Sequence, residues 1–106
     1  MEGFPYIVIL ITAGSPEEAH KVAEALVEQR MAACVNIVPE VHSLFWWEGH
    51  LDSGKETLLL AKTKAALLED VVRLVKEVHS YDVPEIIAVP IIGGNQDYLD
   101  WIGKEV

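Results

Sequence analysis

Two residues are candidate ligands for a borderline-soft metal ion, His79 through its imidazole and Cys34 through its thiol. His79 falls at the end of a helical pattern, where the helix dipole favours an imidazolium. With a carboxylate and a thiol nearby, such a histidine could hold copper(II). A histidine that only caps the helix fits the same position, and a buried cysteine usually behaves as a small apolar residue. Both residues are therefore candidate metal ligands, each with a structural alternative.

The other residues with chemical potential give weaker signals. His42 and His50 are eight residues apart and lack the i, i+2 or i, i+4 spacing of paired ligands, and His20 lies on a polar helix face. Gly93-Gly94 lacks the Lys and Ser/Thr of a phosphate-binding loop. No Cys-His-Asn arrangement can be read from the order of the residues, so a nucleophilic enzyme has little support. We expect a protein that is not an enzyme.

Length and charge limit the classes of protein to consider. A chain of 106 residues is expected to form a single domain, 1–106. The formal net charge of −9 disfavours nucleic acid and anionic membranes, where Lys and Arg must replace counterions. The single cysteine excludes an internal disulfide, and the apolar run YIVILIT is too short for a signal peptide or a membrane span. We expect a cytoplasmic protein without nucleic-acid or membrane partners.

Hydrophobic periodicity predicts the order β-α-β-β-α-β with a short terminal helix. Strands are expected at 6–12, at 32–38 with a continuation over 41–47, at 58–63 and at 85–92, and helices at 15–30, 63–79 and from 95 onward. Ser15 and Glu18 match a capping box, and Thr63 is expected to cap the second helix. Pro39 implies an edge strand or a bulge. This order predicts an α+β, ferredoxin-like sandwich, with both helices on one face of an antiparallel sheet and the other face uncovered.

The second and third strands predict a long hairpin that turns through GHLDSG and is aromatic near its tip. Arms of about 13–15 residues would each be about 45 Å long, whereas a compact domain of this size is roughly 30–35 Å across. An overhanging two-stranded ribbon is not stable alone in water. It would also expose a large apolar patch, so we predict self-association. The predicted interface residues are Leu44, Phe45, Trp46 and Trp47. The alternative is a ribbon that bends at Pro39 over its own sheet.

Several segments occur in the order and spacing of the CutA-type divalent-cation-tolerance proteins. They are AACVNIVP, SLFWWEG, Glu56 of the returning strand, LAKT, VHSYDVPEI and GNQDYLDWI. The chain resembles this family from its first strand to Trp101. The resemblance implies a ferredoxin-like fold and a tight homotrimer whose hairpins wrap the neighbouring subunits. It also implies a link to tolerance of divalent metals, chiefly copper.

The resemblance also has implications for the site residues. The family pattern has a histidine implicated in copper binding at the position of His79. The best-argued family sites add a second histidine and a cysteine, where this sequence has Val78 and, approximately, Ile11 or Thr12. Binding of copper(II) or another divalent cation is therefore expected to be weak or transient.

A polar pocket between subunits is a further implication of the resemblance. The positions that match those lining this pocket in the family are Trp47, Lys62, Tyr81 and Glu85. The structural alternative is an interface ion pair that includes Lys62.

The leading hypothesis is a cytoplasmic, homotrimeric, CutA-like protein that takes part in divalent-cation tolerance. One alternative is a trimeric signalling module of the PII type, which would bind a small effector near Lys62 and Glu85. A second alternative is a small hydrolase resembling acylphosphatase. That enzyme needs an arginine in its first loop, whereas Arg30 and Arg73 lie on predicted helices. The fold alone cannot choose among these functions.

Overall fold

The computed structural model describes residues 3–106 and forms four strands and three α-helices over that range. The strands are β1 (Tyr6–Ala13), β2 (Cys34–Trp47), β3 (His50–Lys64) and β4 (Ile86–Pro90). The helices are α1 (Pro16–Glu28), α2 (Leu68–Val78) and α3 (Gln96–Glu105). The order β-α-β-β-α-β with a terminal helix confirms the predicted fold class. In this range no helix combines the length and the apolar character that crossing a membrane requires.

The strands form one antiparallel sheet in the order β2-β3-β1-β4. Alternation along β1 places Ile7, Ile9 and Ile11 on the face that α1 and α2 cover, and all three side chains are fully buried. Fully burying an aliphatic side chain of this size contributes about 1.5–3 kcal/mol. This ferredoxin-like core positions the ends of β1, α1 and α2 relative to one another.

The first helix begins as the sequence predicts, and the second does not. The hydroxyl of Ser15 accepts a hydrogen bond of 3.2 Å from the backbone N–H of Glu18, which caps α1. Thr63 does not cap α2, because it lies within β3, where alternation directs it into the core. Its hydroxyl donates to the carbonyl oxygen of Met31 at 2.6 Å. A 3-10 turn, Ala65–Leu67, separates β3 from α2.

The prediction that the second face of the sheet is uncovered was wrong at one end, which α3 covers. Close approach at Gly103 brings α3 onto the hydroxyl of Tyr6, and the ammonium of Lys64 donates to the carbonyl oxygen of Val106 at 2.8 Å. The remainder of this face carries mainly aliphatic side chains, half-buried on β1 and β3 and exposed on β4, beside the polar residues Thr12, Asn36 and Lys62. We call this remainder the open face; strand register and alternation assign to it Val8, Leu10, Leu58, Leu60, Ile87 and Val89.

The hairpin extends beyond the sheet. β1 pairs with β3 only as far as Thr57, so residues 41–56 pair only with each other. We call residues 41–56 the arm. The molecule measures 44 × 26 × 22 Å, which confirms the predicted overhang and contradicts a ribbon folded over its own sheet. A register shift between Val38 and Val41 confirms the bulge predicted from Pro39.

The predicted turn through GHLDSG was wrong in its length. The turn is Glu48-Gly49 alone, with φ angles of 48° and 81°. Two consecutive residues in the left-handed region are typical of a type I′ turn, whose twist matches that of the two strands. Strand β3 therefore begins at His50, directly opposite Trp47.

Candidate functional site

His79 lies where the end of α2 meets the end of β1. The residue is 9 % exposed, and its Nε2 lies 2.7 Å from the carbonyl oxygen of Thr12. Its Nδ1 accepts a hydrogen bond of 3.1 Å from the backbone N–H of Tyr81. A carbonyl oxygen only accepts and a backbone N–H only donates, so these two bonds require the ring proton to be on Nε2. Both nitrogens of the imidazole are therefore occupied by backbone groups.

Glu18 connects the beginning of α1 to the turn that follows α2. Its Oε1 accepts from the N–H of Gly14 at 3.1 Å, and its Oε2 accepts from the N–H of Ser80 at 2.8 Å. Burial alone would raise the pKa of this carboxyl. Hydrogen bonds from Ser80 and Gly14 and the proximity of His79 outweigh burial, so the pKa lies below its usual 4.5. The charged carboxylate is the form that this arrangement favours.

Tyr81 extends the same group of residues to the hairpin. Its hydroxyl donates to Oε2 of Glu56 at 3.1 Å, and its ring lies 4.7 Å from that of His79. Burial, the hydrogen bond to Glu56 and the negative charges of Glu56 and Glu18 raise the pKa of Tyr81 above 10. We call these residues the His79 cluster, which comprises Glu18, Glu56, His79, Ser80 and Tyr81.

Cys34 and Lys62 lie at the opposite end of the sheet, near α3. They are directly opposite each other in the pairing of β2 with β3. The thiol of Cys34 lies near the hydroxyl of Tyr98 of α3, and the ammonium of Lys62 donates to Oδ1 of Asn36. Burial and the proximity of Cys34 raise the pKa of Tyr98. Lys62 therefore has an amide partner in its own chain.

The structure does not bring the two candidate metal ligands together within one chain. Cys34 pairs with Lys62, and Thr12, which bonds His79, pairs with Leu58. Lys62 and Leu58 are four positions apart along β3, a distance of about 13 Å. Among residues 3–106, no group of three or more His, Cys, Asp or Glu side chains is placed to hold a metal ion. The assignment of these two residues as ligands stays a prediction.

The residues predicted for the pocket between subunits are likewise dispersed within one chain. Lys62 is six residues along β3 from Glu56, the partner of Tyr81, which is a distance of about 20 Å. Glu85 is exposed just before β4, and Trp47 is exposed at the tip of the arm. A pocket that includes all four residues requires contributions from more than one chain. The pocket stays a prediction.

The predicted interface residues lie on both faces of the arm. Alternation and cross-strand pairing put Phe45 and Trp47 on the same side as the open face. Leu44 and Trp46 point to the other side and are 75 % and 73 % exposed. Leu51 pairs with Trp46 and is exposed as well. The arm therefore presents apolar surface in two directions.

Sequence reasoning missed the connections made by Glu18 and Glu56. The capping-box pattern identified Glu18, but its partner Ser80 is 62 residues away and no local pattern links them. Glu56 was identified only as part of the family pattern, and no contact was predicted for it. Asn36, which bonds Lys62, gave no signal beyond its place in AACVNIVP.

The fold and the arm together define a ferredoxin-like protein with an extended hairpin, and comparison with known proteins specifies the family. The model of the family described as CutA1 divalent ion tolerance protein matches residues 7–105. The chain belongs to this family, which confirms the resemblance seen in its sequence.

Relatives in this family match over most of the chain. The divalent-cation tolerance protein CutA of Thermus thermophilus is 50% identical over 95 residues, covering 90% of this chain and 92% of that protein. The chloroplastic protein CutA 1 of Oryza sativa is 45% identical over 98 residues, covering 92% of this chain and 55% of that protein. The chain therefore spans about half the length of this plant relative and of its Arabidopsis thaliana counterpart.

Solved structures show the same fold. The crystal structure of CutA1 from Oryza sativa superimposes with a TM-score of 0.93 at 43% identity, covering 96% of this chain and 94% of the other. Nothing in these comparisons supports the PII-like alternative. The family is named for tolerance of divalent ions and not for an enzymatic activity. Because the plant relatives are named as chloroplastic, a cytoplasmic location stays a prediction.

Proposed function

We propose that this chain acts in tolerance of divalent cations as a homotrimer, binds copper(II) or another divalent cation weakly, and is not an enzyme. The proposal of a trimer rests on the apolar surface that one chain leaves exposed. The open face is continuous with the side of the arm that carries Phe45 and Trp47. Burying such surface is favourable by about 25 cal/mol per Å².

A second copy of the chain is the occupant that best fits this surface. The arm is a two-stranded ribbon without support from its own sheet, and such a ribbon gains stability when a neighbour packs against it. Apolar residues on both sides of the arm, Phe45 and Trp46 for example, fit an arm held between neighbours. In a closed cyclic assembly, every copy of the chain buries this surface in the same way. The number three comes from the resemblance to the family.

Weak metal binding follows from the surroundings of His79. A cation could bind Nδ1 only by displacing the N–H of Tyr81, which already occupies that lone pair. Val78 supplies no ligand beside it, and Cys34 lies at the far end of the sheet. Imidazole suits copper, but one displaced ligand without neighbours gives a low affinity. The net charge of −9 raises the local concentration of cations around the protein.

Assembly would also complete the predicted pocket. We propose that Trp47 at the tip of one arm lies against Lys62, Tyr81 or Glu85 of a neighbouring chain, because one chain keeps these residues apart. We propose a cytoplasmic location, with which the single reduced Cys34 is compatible.

Native mass spectrometry with increasing Cu²⁺ tests both parts of the proposal. The wild-type chain should be trimeric and should take up about one weakly held copper per chain. His79→Ala should lose that copper, and His20→Ala, which alters an exposed histidine of α1, should keep it. A monomeric wild type would overturn the trimer. Equal copper uptake by His79→Ala and the wild type would overturn the assignment to His79.

A further inference from the structure

The arm leaves the sheet at a defined residue. The ladder between β1 and β3 ends with the pair Ala13 and Thr57. The next residue of β3 toward the tip is Glu56, which pairs with Val41 as the first pair beyond the bulge. Glu56 is therefore at the root of the arm, where support from β1 ends. Its carboxylate accepts the hydroxyl of Tyr81, which belongs to a different part of the fold.

Tyr81 is itself fixed by groups from three elements. Its backbone N–H donates to His79 after α2, and the imidazole of His79 is bonded to Thr12 at the end of β1. The preceding residue, Ser80, is bonded to Glu18 in the first turn of α1. The hydroxyl of Tyr81 also lies close to Gly14, where an added Cβ would be only 3.2 Å from it. The backbone at Tyr81 is thus linked by hydrogen bonds through His79 and Ser80 to β1 and α1.

A small change of angle at the root has a large effect at the tip. Glu56 and His50 are six positions apart along β3, so the tip is about 20 Å from the root. A tilt of about 10° would displace the tip by about 3.5 Å over this length. Well-packed interfaces match their partners as closely as protein interiors do, and a displacement of this size would disrupt such packing.

We propose that Tyr81 is a positioning residue. Together with Glu56 it forms a strut between the core and the root of the arm. The strut fixes the direction in which the arm leaves the sheet, and so presents the aromatic residues of the arm to a neighbouring copy. This inference rests on the proposed trimer, because it assigns the strut a role in orienting an arm that a neighbour receives.

Removal of one hydroxyl separates this role from simple packing. Tyr81→Phe keeps the ring against His79 and Gly14 and deletes only the bond to Glu56. Tyr98→Phe is the matched control, because Tyr98 has similar exposure (40 % against 38 %) and lies on α3, away from the arm. Glu56→Gln retains an oxygen that can accept the Tyr81 hydroxyl, and Glu56→Ala does not.

Hydrogen–deuterium exchange of the full chain, after its mass in solution is recorded, measures the effect. In Tyr81→Phe, amides of residues 41–56 should exchange roughly three- to tenfold faster, and those of β1 and α1 should be unchanged. Glu56→Ala should reproduce this pattern, Glu56→Gln should largely restore wild-type exchange, and Tyr98→Phe should leave the arm unchanged. The double variant Tyr81→Phe/Glu56→Ala should be no faster than either single variant, because both remove the same bond.

The results of these measurements distinguish failure of the strut from failure of the proposed trimer. Wild-type exchange of the arm in Tyr81→Phe, or effects that add in the double variant, would overturn the strut whatever the mass. A trimeric wild type whose Tyr81→Phe variant dissociates at higher concentration than Tyr98→Phe supports the strut and its role. A monomeric wild type would overturn the orienting role together with the proposed trimer, while faster exchange of the arm would still support the bond itself.

Discussion

The imidazole of His79 joins the end of α2 to the end of β1, with Nε2 lying 2.7 Å from the carbonyl oxygen of Thr12. The other ring nitrogen accepts the N–H of Tyr81, so a single side chain satisfies two backbone groups that belong to different elements. This arrangement gives His79 a structural role whether or not a metal reaches it. It also means that any metal bound through Nδ1 must compete with the fold.

Replacement of His79 by alanine should destabilise the protein. The change removes two hydrogen bonds and creates space at a site that is 9 % exposed, so we expect a loss of about 2–4 kcal/mol. Urea unfolding at a fixed protein concentration measures the loss, since oligomers unfold in a concentration-dependent way. His20→Ala, on the exposed face of α1, should change stability by less than about 0.5 kcal/mol. Equal midpoints for the two variants would contradict the structural role of His79.

The connection made by Glu18 predicts a dependence of stability on pH. Its pKa in the folded chain is lower than the 4.5 of the unfolded chain, so the folded state favours the charged carboxylate. The stabilisation is present above pH 4.5 and is lost as the pH falls through the lower folded pKa. The wild type should therefore be more stable than Glu18→Gln at pH 7, and the difference should shrink below pH 4.5.

Thermal unfolding of the wild type, Glu18→Gln and Glu17→Gln between pH 7 and pH 3 measures this dependence. Glu17 is the adjacent, exposed carboxylate of the same helix turn and serves as the matched control. A difference between the wild type and Glu18→Gln that stays constant over this pH range would show that the charge of Glu18 contributes nothing.

Aromatic residues of the arm should determine the strength of assembly. Trp47→Ala, or a charge introduced by Trp46→Glu, should weaken the trimer by at least about 2 kcal/mol, because aromatic anchors carry much of the energy of an interface. Sedimentation velocity over a dilution series measures the concentration at which the trimer dissociates. Trp101→Ala on α3 removes an exposed indole outside the arm and is the control. Unchanged assembly and unchanged thermal stability in both arm variants would refute the role assigned to these aromatics.

The turn at the tip of the arm should depend on its glycine. Gly49 has a φ of 81°, a value that residues with a Cβ rarely adopt, so Gly49→Ala should cost about 1 kcal/mol. Gly54 lies in β3 of the same arm, with open space around it, and Gly54→Ala should cost less. Exchange rates of the amides at the tip report the difference. Equal rates in the two variants would argue against a type I′ turn at Glu48-Gly49.

Much of the fold could be predicted from the sequence because its determinants are local. The capping residue Ser15, the apolar stripes of the two long helices and the break at Pro39 all act within a few residues of their effects. The prediction that Thr63 caps α2 was wrong because it relied on the local sequence alone. This residue looks like a helix cap in its local sequence, but pairing with Ile7 keeps it in β3 and buries it in the core. Tertiary pairing overrode the local preference.

The site was less predictable because its contacts are distant in the sequence. Glu18 and Ser80 are 62 residues apart, and His79 and Thr12 are 67 residues apart. A sequence pattern can identify His79 as a candidate metal ligand, but it cannot show that Thr12 and Tyr81 already occupy its two ring nitrogens. The separation of Cys34 from His79 follows from the register of the strands. That register is known only once all the strands have been paired.

In the proposed trimer, copies of the same chain bury the open face and the arm. Sedimentation equilibrium of the wild-type protein from micromolar to nanomolar concentration tests this burial. We expect a mass three times the 11.8 kDa of one chain, held down to low concentration. A mass of 11.8 kDa at micromolar concentration would contradict it, because the arm and the open face would then be exposed in the native protein.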